Sequence, residues 1–299
     1  MSTESVTISA DFDFASHFAT VNQQQLHYIT QGEGAPMLFL HGIPTSSYLW
    51  RNVIKALPTS VRAIAPDLIG MGRSDKPAIK YSVFDHIAYI SGFIEALDLR
   101  DITLVLHAWG SVIGFAIAKQ MPERISGLAF LEAHIRLPTS RDNVSLPVQQ
   151  LTQILDMPDG GYDVVMHSNY FVNKVLPSGV LRTLSEVEMQ HYLAPFEKSG
   201  SCLPLWQYLQ DLPLCDEDDC DVAALIKDYS AWLCETDIPK LMLYAVPGFV
   251  TTIDTVMWAK THLTHLSQVD LGDALHYAQE SKPLEMALAL NEWYQNTVA

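Results

Sequence analysis

Cysteine is scarce in this chain of 299 residues, which contains four. None of the spacings between them matches a zinc-binding pair such as C-x-x-C. Four cysteines in a chain of this length also do not form the dense disulfide framework of a small secreted domain. We therefore expect reduced thiols at all four positions, which are Cys202, Cys215, Cys220 and Cys234.

Positive charge and long apolar runs are also scarce. Lys and Arg number 18 against 34 Asp and Glu, so the formal net charge is −16 at pH 7. Such a surface repels phosphate backbones and anionic lipid, which argues against a nucleic-acid or membrane partner. The apolar runs are much shorter than the roughly 20 residues of a membrane span, and the N-terminus lacks the basic and apolar segments of a secretory signal. These features predict a cytoplasmic protein.

Short apolar runs alternate with helical patterns in much of the chain, and a capping box, Ser82 to Asp85, precedes one helical pattern. Continuous apolar strands that alternate with helices predict a mostly parallel sheet covered on both faces. The predicted strands are 26–30, 37–41, 61–66, 102–106, 127–131, 241–245 and 267–271, and two of the predicted helices are 110–120 and 283–294.

The pattern changes after about Ile135. From there to about Thr236 the chain shows helical periods, prolines and an acidic run, but few strand signals. We therefore predict an α/β core formed by 1–135 and 237–299 and a helical cap formed by 136–236. The acidic run 216–221 lacks the glycine and terminal glutamate of a calcium loop, so the sequence predicts no metal site, and it indicates no cofactor.

The turn after the strand 102–106 is the most informative motif, and it reads Leu106-His107-Ala108-Trp109-Gly110. A strand that ends in a sharp turn and continues as a helix forms the nucleophile elbow of α/β hydrolases. The apex here is Ala108, which supplies no nucleophile, acid or base. Ser111 lies three residues further on, inside the helix, where an ordinary first-turn role is favoured.

Together with other segments, this motif resembles the haloalkane dehalogenases, in the branch that includes the coelenterazine luciferase of sea pansy. The resemblance covers nearly the whole chain. It implies an α/β-hydrolase fold, with a mostly parallel central sheet flanked by helices and an inserted helical cap. The segments that carry it are 41–52, 65–72, 106–110, 130–132 and 275–280.

The resemblance implies a role for each matching position. In the family, an elbow aspartate displaces the halide, and a histidine oriented by a carboxylate hydrolyses the resulting ester. Ala108 stands at the position of that aspartate, so displacement by this route is impossible. Trp109 keeps one halide-binding group, whereas Ile43 replaces the other, an asparagine. Glu132 matches the orienting carboxylate, and His276 matches the base.

The substrate pocket is also predicted from the resemblance. Residues of the cap and of the loop after strand 241–245 are expected to form its walls. Because these residues are mostly apolar, the pocket should suit a small hydrophobic substrate. The backbone amides of Ile43 and Trp109 are expected to form an oxyanion hole. The predicted lining residues are Ile43, Phe171, Val175, Tyr208, Phe249 and Val250.

Three functions remain open at this point. The first is a non-covalent reaction with His276 as base, of the lyase, isomerase, cyclase or cofactor-free oxygenase type. The second is a dehalogenase or related hydrolase inactivated by substitution of its nucleophile with alanine, whether natural or engineered, and the third is a ligand-binding protein with a relic dyad. Ile43 favours the first over the second, because a nucleophile knockout would leave the asparagine in place. The intact pair His276 and Glu132 favours the first over the third. The substrate and the oligomeric state, monomer or homodimer, stay open.

Overall fold

The computed structural model describes residues 8–157 and 159–298. Residues 1–7, at the start of the segment examined for a secretory signal, lie outside this part, as do 158 and 299. The described strands form one eight-stranded sheet. They are β1 (His17–Val21), β2 (Gln24–Gln31), β3 (Pro36–Leu40), β4 (Arg62–Pro66), β5 (Ile102–His107), β6 (Ile125–Leu131), β7 (Lys240–Tyr244) and β8 (Leu266–Asp270).

The strand order is β1-β2-β4-β3-β5-β6-β7-β8. β2 pairs antiparallel with β1 and with β4, and the remaining neighbours pair in parallel. The predicted mostly parallel sheet is therefore confirmed. β1 was not predicted, because its sequence HFATV mixes polar and apolar residues and only two of its five positions are buried.

Helices cover both faces of the sheet and build the segment between β6 and β7. They are α1 (Arg51–Ala56), α2 (Val83–Ala96), α3 (Trp109–Gln120), α4 (Leu146–Thr152), α5 (Tyr162–His167), α6 (Leu176–Ser178), α7 (Glu186–Leu193), α8 (Leu203–Asp211), α9 (Asp221–Glu235), α10 (Ile253–His262) and α11 (Pro283–Thr297). A π-helical turn, Phe171–Val175, leads directly into α6.

The central strands are buried on both faces, which explains their continuous apolar sequences. Every residue of β3 is buried. Leu38 and Leu40 join the apolar cluster on one side of the sheet, whereas Met37 and Phe39 join the cluster on the other side. This alternation follows from the two-residue period of a strand. β3 and β5 pair in parallel, with Leu40 opposite Leu106, so both strands end at the same edge of the sheet.

The segment 136–236 contains α4 to α9 and no strand among its described residues. Its last helix, α9, packs against α3 of the core. The boundaries of the cap therefore stay a prediction. No helix of the described residues is long and apolar enough to cross a membrane. All four cysteines are free thiols.

Candidate active site

The turn between β5 and α3 forms a strained elbow. Ala108, at its apex, has φ 47° and ψ −121°, a conformation that residues other than glycine rarely adopt. Two glycines allow the elbow to lie directly on the end of β3. A Cβ on Gly110 would lie 2.5 Å from the carbonyl oxygen of Leu40, and a Cβ on Gly42 would lie 2.8 Å from the Cβ of Ala108. The side chain at the apex is the buried methyl group of Ala108, which has no reactive atom.

His276 and Glu132 form a buried pair next to this elbow. Glu132 directly follows β6, and His276 lies in the loop after β8. The distance between His276 Nδ1 and Glu132 Oε2 is 2.6 Å, and the two residues are 6% and 2% exposed. Because a carboxylate oxygen can only accept, Nδ1–H is the donor, which leaves Nε2 as the acceptor of the neutral ring.

The loop after β7 holds the Glu132 carboxylate in place. The amides of Phe249 and Val250 donate to Oε2 at 2.6 and 2.9 Å, and the amide of Thr251 donates to Oε1 at 3.0 Å. Gly248 makes this approach possible, since a Cβ there would lie 1.9 Å from Oε1. Three amide donors and the imidazole therefore fix the position of the carboxylate.

Two further side chains brace the loop that carries His276. His107 Nε2 donates to the carbonyl oxygen of His276 at 2.9 Å. Burial holds the pKa of His107 well below its usual range, so this imidazole stays neutral. The Tyr277 hydroxyl donates to the carbonyl oxygen of Ile43 at 2.9 Å, which ties the His276 loop to the turn after β3.

His134 lies beside the pair but takes no part in it. Its ring makes an edge contact with Trp109, with 5.9 Å between the ring centroids. Burial, and secondarily the neighbouring His276, lowers the pKa of His134 to about 4. His134 is therefore a neutral group near neutral pH.

A cavity of about 360 Å³ lies next to His276, whose side chain forms part of its wall. All six predicted lining residues contact it, namely Ile43, Phe171, Val175, Tyr208, Phe249 and Val250. Lys174 and Ser178 also line it and were not predicted. Their spacing from Phe171 places the three residues on one helix face, but the spacing does not show that this face meets a cavity. Ala108, Trp109 and Glu132 are not among the residues that line it. The ring of Trp109 packs edge-on against that of Tyr208, which does line the cavity, at 5.0 Å between centroids.

The acidic run has a structural role. Asp218 accepts from the amides of Leu214 and Cys215, at 2.6 and 3.3 Å, and pairs with Arg141 at 2.8 Å. Within 8–157 and 159–298, no group of three or more His, Cys, Asp or Glu side chains is arranged to hold a metal ion.

Known proteins share both the sequence and the fold. Residues 35–283 match the family described as alpha/beta hydrolase fold. Haloalkane dehalogenases from Mesorhizobium japonicum and Sphingobium indicum are 36% and 38% identical to this chain, over 91% of its length and 89% and 93% of theirs. This chain belongs to the haloalkane dehalogenase-like family.

Crystal structures of family members superimpose on nearly all of the chain. Haloalkane dehalogenase DbeA from Bradyrhizobium elkanii is 33% identical, with a TM-score of 0.90, and the match covers 95% of this chain and 99% of that one. Haloalkane dehalogenase DatA from Agrobacterium tumefaciens C58 is 31% identical, with a TM-score of 0.88 and coverage of 95% and 97%. The implied α/β-hydrolase fold is thereby confirmed.

Proposed function

We propose that this haloalkane dehalogenase-like chain is an enzyme without a covalent nucleophile, in which His276 acts as a general base on a small hydrophobic substrate. One observation carries the proposal: a histidine held at 2.6 Å by Glu132 lines the cavity, while the elbow beside it ends in the methyl group of Ala108. An alkyl ester intermediate needs a carboxylate at the apex. Proton abstraction needs only the base and its orienting group.

The first step of the proposed reaction moves a proton from a carbon or hydroxyl of the substrate to Nε2 of His276. The Glu132 carboxylate stabilises the imidazolium that forms. The electron pair left behind passes to a substrate oxygen as an enolate or alkoxide. Return of the proton at another atom gives isomerisation. Attack of the enolate or alkoxide on a second carbonyl carbon of the same molecule, with the proton returned to that carbonyl's oxygen, gives cyclisation, and loss of a carbonyl fragment gives lyase chemistry. Attack of the carbanion on O₂ gives a cofactor-free oxygenation.

The amides of Ile43 and Trp109 are the proposed donors to that oxygen. A Cβ on Gly42 would lie 3.1 Å from the Trp109 amide nitrogen, so the turn after β3 lies against the start of α3. Neither amide donates to a carbonyl in the backbone bonds of turns and loops in the described part of the chain. Backbone donors at a helix N-terminus favour developing negative charge, and they persist whatever side chain stands at position 43.

Proton exchange tests the proposed base without knowledge of the product. The protein is incubated with small apolar ketones and β-diketones in D₂O, and loss of the α-proton signal is followed by NMR. We expect His276→Ala to slow the exchange by roughly 10²–10⁴-fold, the usual contribution of a general base, and Glu132→Gln to slow it less. His262→Ala, on the exposed face of α10, is the matched control. Equal exchange in the wild type and His276→Ala would contradict the proposal.

The names of the relatives favour a second function, that of a haloalkane dehalogenase inactivated by the loss of its nucleophile. The double variant Ala108→Asp, Ile43→Asn tests it by halide release from bromo- and iodoalkanes. Halide release by the variant alone would favour this second function. A folded variant without halide release would mean that the cavity has been reshaped for another substrate. A ligand-binding protein would instead bind apolar probes equally well after loss of His276.

A further inference from the structure

A tyrosine hydroxyl on the cavity wall has no hydrogen-bond partner among the described residues. Tyrosines usually satisfy their hydroxyl groups when they are buried, and five of the six buried tyrosines in the described part of the chain donate to an internal acceptor, namely Tyr48, Tyr81, Tyr192, Tyr229 and Tyr277. Tyr208 is partly buried. Tyr208, on α8, lines the cavity. Its hydroxyl forms no hydrogen bond with any residue in 8–157 and 159–298. We therefore expect the acceptor for this hydroxyl to belong to a ligand bound in the cavity.

The ring of Tyr208 packs against the side chain at the start of α3. It lies edge-on to Trp109, at 5.0 Å between centroids, and to Phe171, at 5.9 Å. Tyr277 lines the same cavity and donates to the carbonyl oxygen of Ile43. Tyr208 therefore contacts Trp109 and shares the cavity wall with Ile43 and with the tyrosine that contacts it.

Burial also raises the pKa of Tyr208 above its usual range. Its phenol therefore stays protonated at neutral pH and acts as a donor. The wall also carries Gln150, Lys174 and Ser178. The Tyr208 hydroxyl favours ligands that have an oxygen acceptor over ligands that leave it unpaired.

We infer that the Tyr208 hydroxyl donates to an oxygen of the ligand, as a third donor beside the amides of Ile43 and Trp109. The ligand class is an apolar molecule that carries a carbonyl, enolate or phenolate oxygen. The inference rests on the proposed function for the two amide donors, but it does not depend on His276 acting as a base.

A pair of probes of equal shape tests this inference. The affinities of 4-nitrophenolate and of 4-nitrotoluene, which lacks the phenolate oxygen, are measured for the wild type, for Tyr208→Phe and for Tyr162→Phe. Tyr162 is exposed on α5, does not line the cavity and is the matched control. We expect Tyr208→Phe to weaken 4-nitrophenolate binding by roughly 10- to 100-fold, the range for a hydrogen bond to a charged group. The affinity for 4-nitrotoluene should stay within about threefold, and Tyr162→Phe should leave both affinities unchanged.

Three outcomes would overturn the inference. One is a wild-type protein that does not prefer 4-nitrophenolate to 4-nitrotoluene. Another is a Tyr208→Phe variant that keeps the preference, and the third is one that loses both ligands equally, which would mean that the ring only packs. The proposed function is tested separately by proton exchange. If exchange does not depend on His276 but Tyr208→Phe weakens 4-nitrophenolate binding, only the proposed base is wrong. If exchange depends on His276 but Tyr208→Phe has no effect, only the role of Tyr208 is wrong.

Discussion

Ala108 keeps the strained conformation of a nucleophile elbow although its side chain has no reactive group. A non-glycine residue in such a conformation costs of order 1–3 kcal/mol and persists only where its surroundings enforce it. Here Gly42 and Gly110 bring the end of β3 against the elbow. The same contact places the Trp109 amide beside the turn that carries Ile43. In the proposed function, the strained elbow positions the backbone donors.

The neutral His134 makes stability depend on pH. Its pKa in the folded state, about 4, lies below the ordinary value of 6.5. As the pH falls from 6.5 towards 4, the unfolded chain takes up a proton that the folded protein does not, so this contribution to stability is present above pH 6.5 and is lost on acidification. Between pH 6 and 5 the loss is about 1 kcal/mol per pH unit.

We expect the free energy of unfolding of His134→Gln to fall less steeply with acidification than that of the wild type, by about this amount. Urea unfolding at pH 7, 6 and 5 measures the slopes. His262→Gln is the control, because His262 is exposed on α10. Parallel slopes for His134→Gln and the wild type would show that His134 is protonated in the folded protein.

Elements differ in how well the sequence predicts them. The buried strands β3, β5 and β7 are uninterrupted apolar runs, and their predicted bounds are correct to within one residue. The short cap helix α7 was missed although Ser185 and Glu188 form a capping box, because its sequence has little apolar periodicity.

Prediction of the site depended on a different kind of information. The lining residues followed from the family resemblance, since periodicity alone does not tell which helix face meets a cavity. The three amides that hold Glu132 and the unpartnered hydroxyl of Tyr208 depend on loop and cap geometry, which no local pattern in the sequence encodes.

The capping box of α2 gives a prediction at the scale of one element. The Ser82 hydroxyl accepts from the Asp85 amide, and the Asp85 carboxylate accepts from the Ser82 amide. We expect Ser82→Ala to lower the free energy of unfolding by about 1 kcal/mol. Ser91→Ala in the same helix is the control, since the buried Ser91 hydroxyl has no partner among the described residues and alanine is the better helix former. Equal losses in urea unfolding would contradict a capping role.

A buried ionic network joins the cap to the core of the molecule. Arg51, on α1, donates to Glu280 at 2.6 and 2.9 Å and to Glu188 at 2.7 Å. Arg182 donates to Glu280 at 2.7 Å and to Glu188 at 2.9 Å. Glu188 belongs to the cap helix α7, and Glu280 lies four residues after His276. The network thus connects α7, the core helix α1 and the segment after the proposed base.

The two arginines and two glutamates of this network balance each other, and Arg51 and Glu280 are completely buried. Removal of one partner leaves a buried charge without compensation, which typically costs about 3–5 kcal/mol. We expect Arg51→Met to lower the free energy of unfolding by this amount. The exposed pair Arg100 and Asp98 supplies the control, since Arg100→Met should change stability by less than about 0.5 kcal/mol. Denaturant unfolding measures both. A loss under about 1 kcal/mol in Arg51→Met would mean that the remaining charge of the glutamates costs little and that Arg51 is not needed to hold α7 on the core.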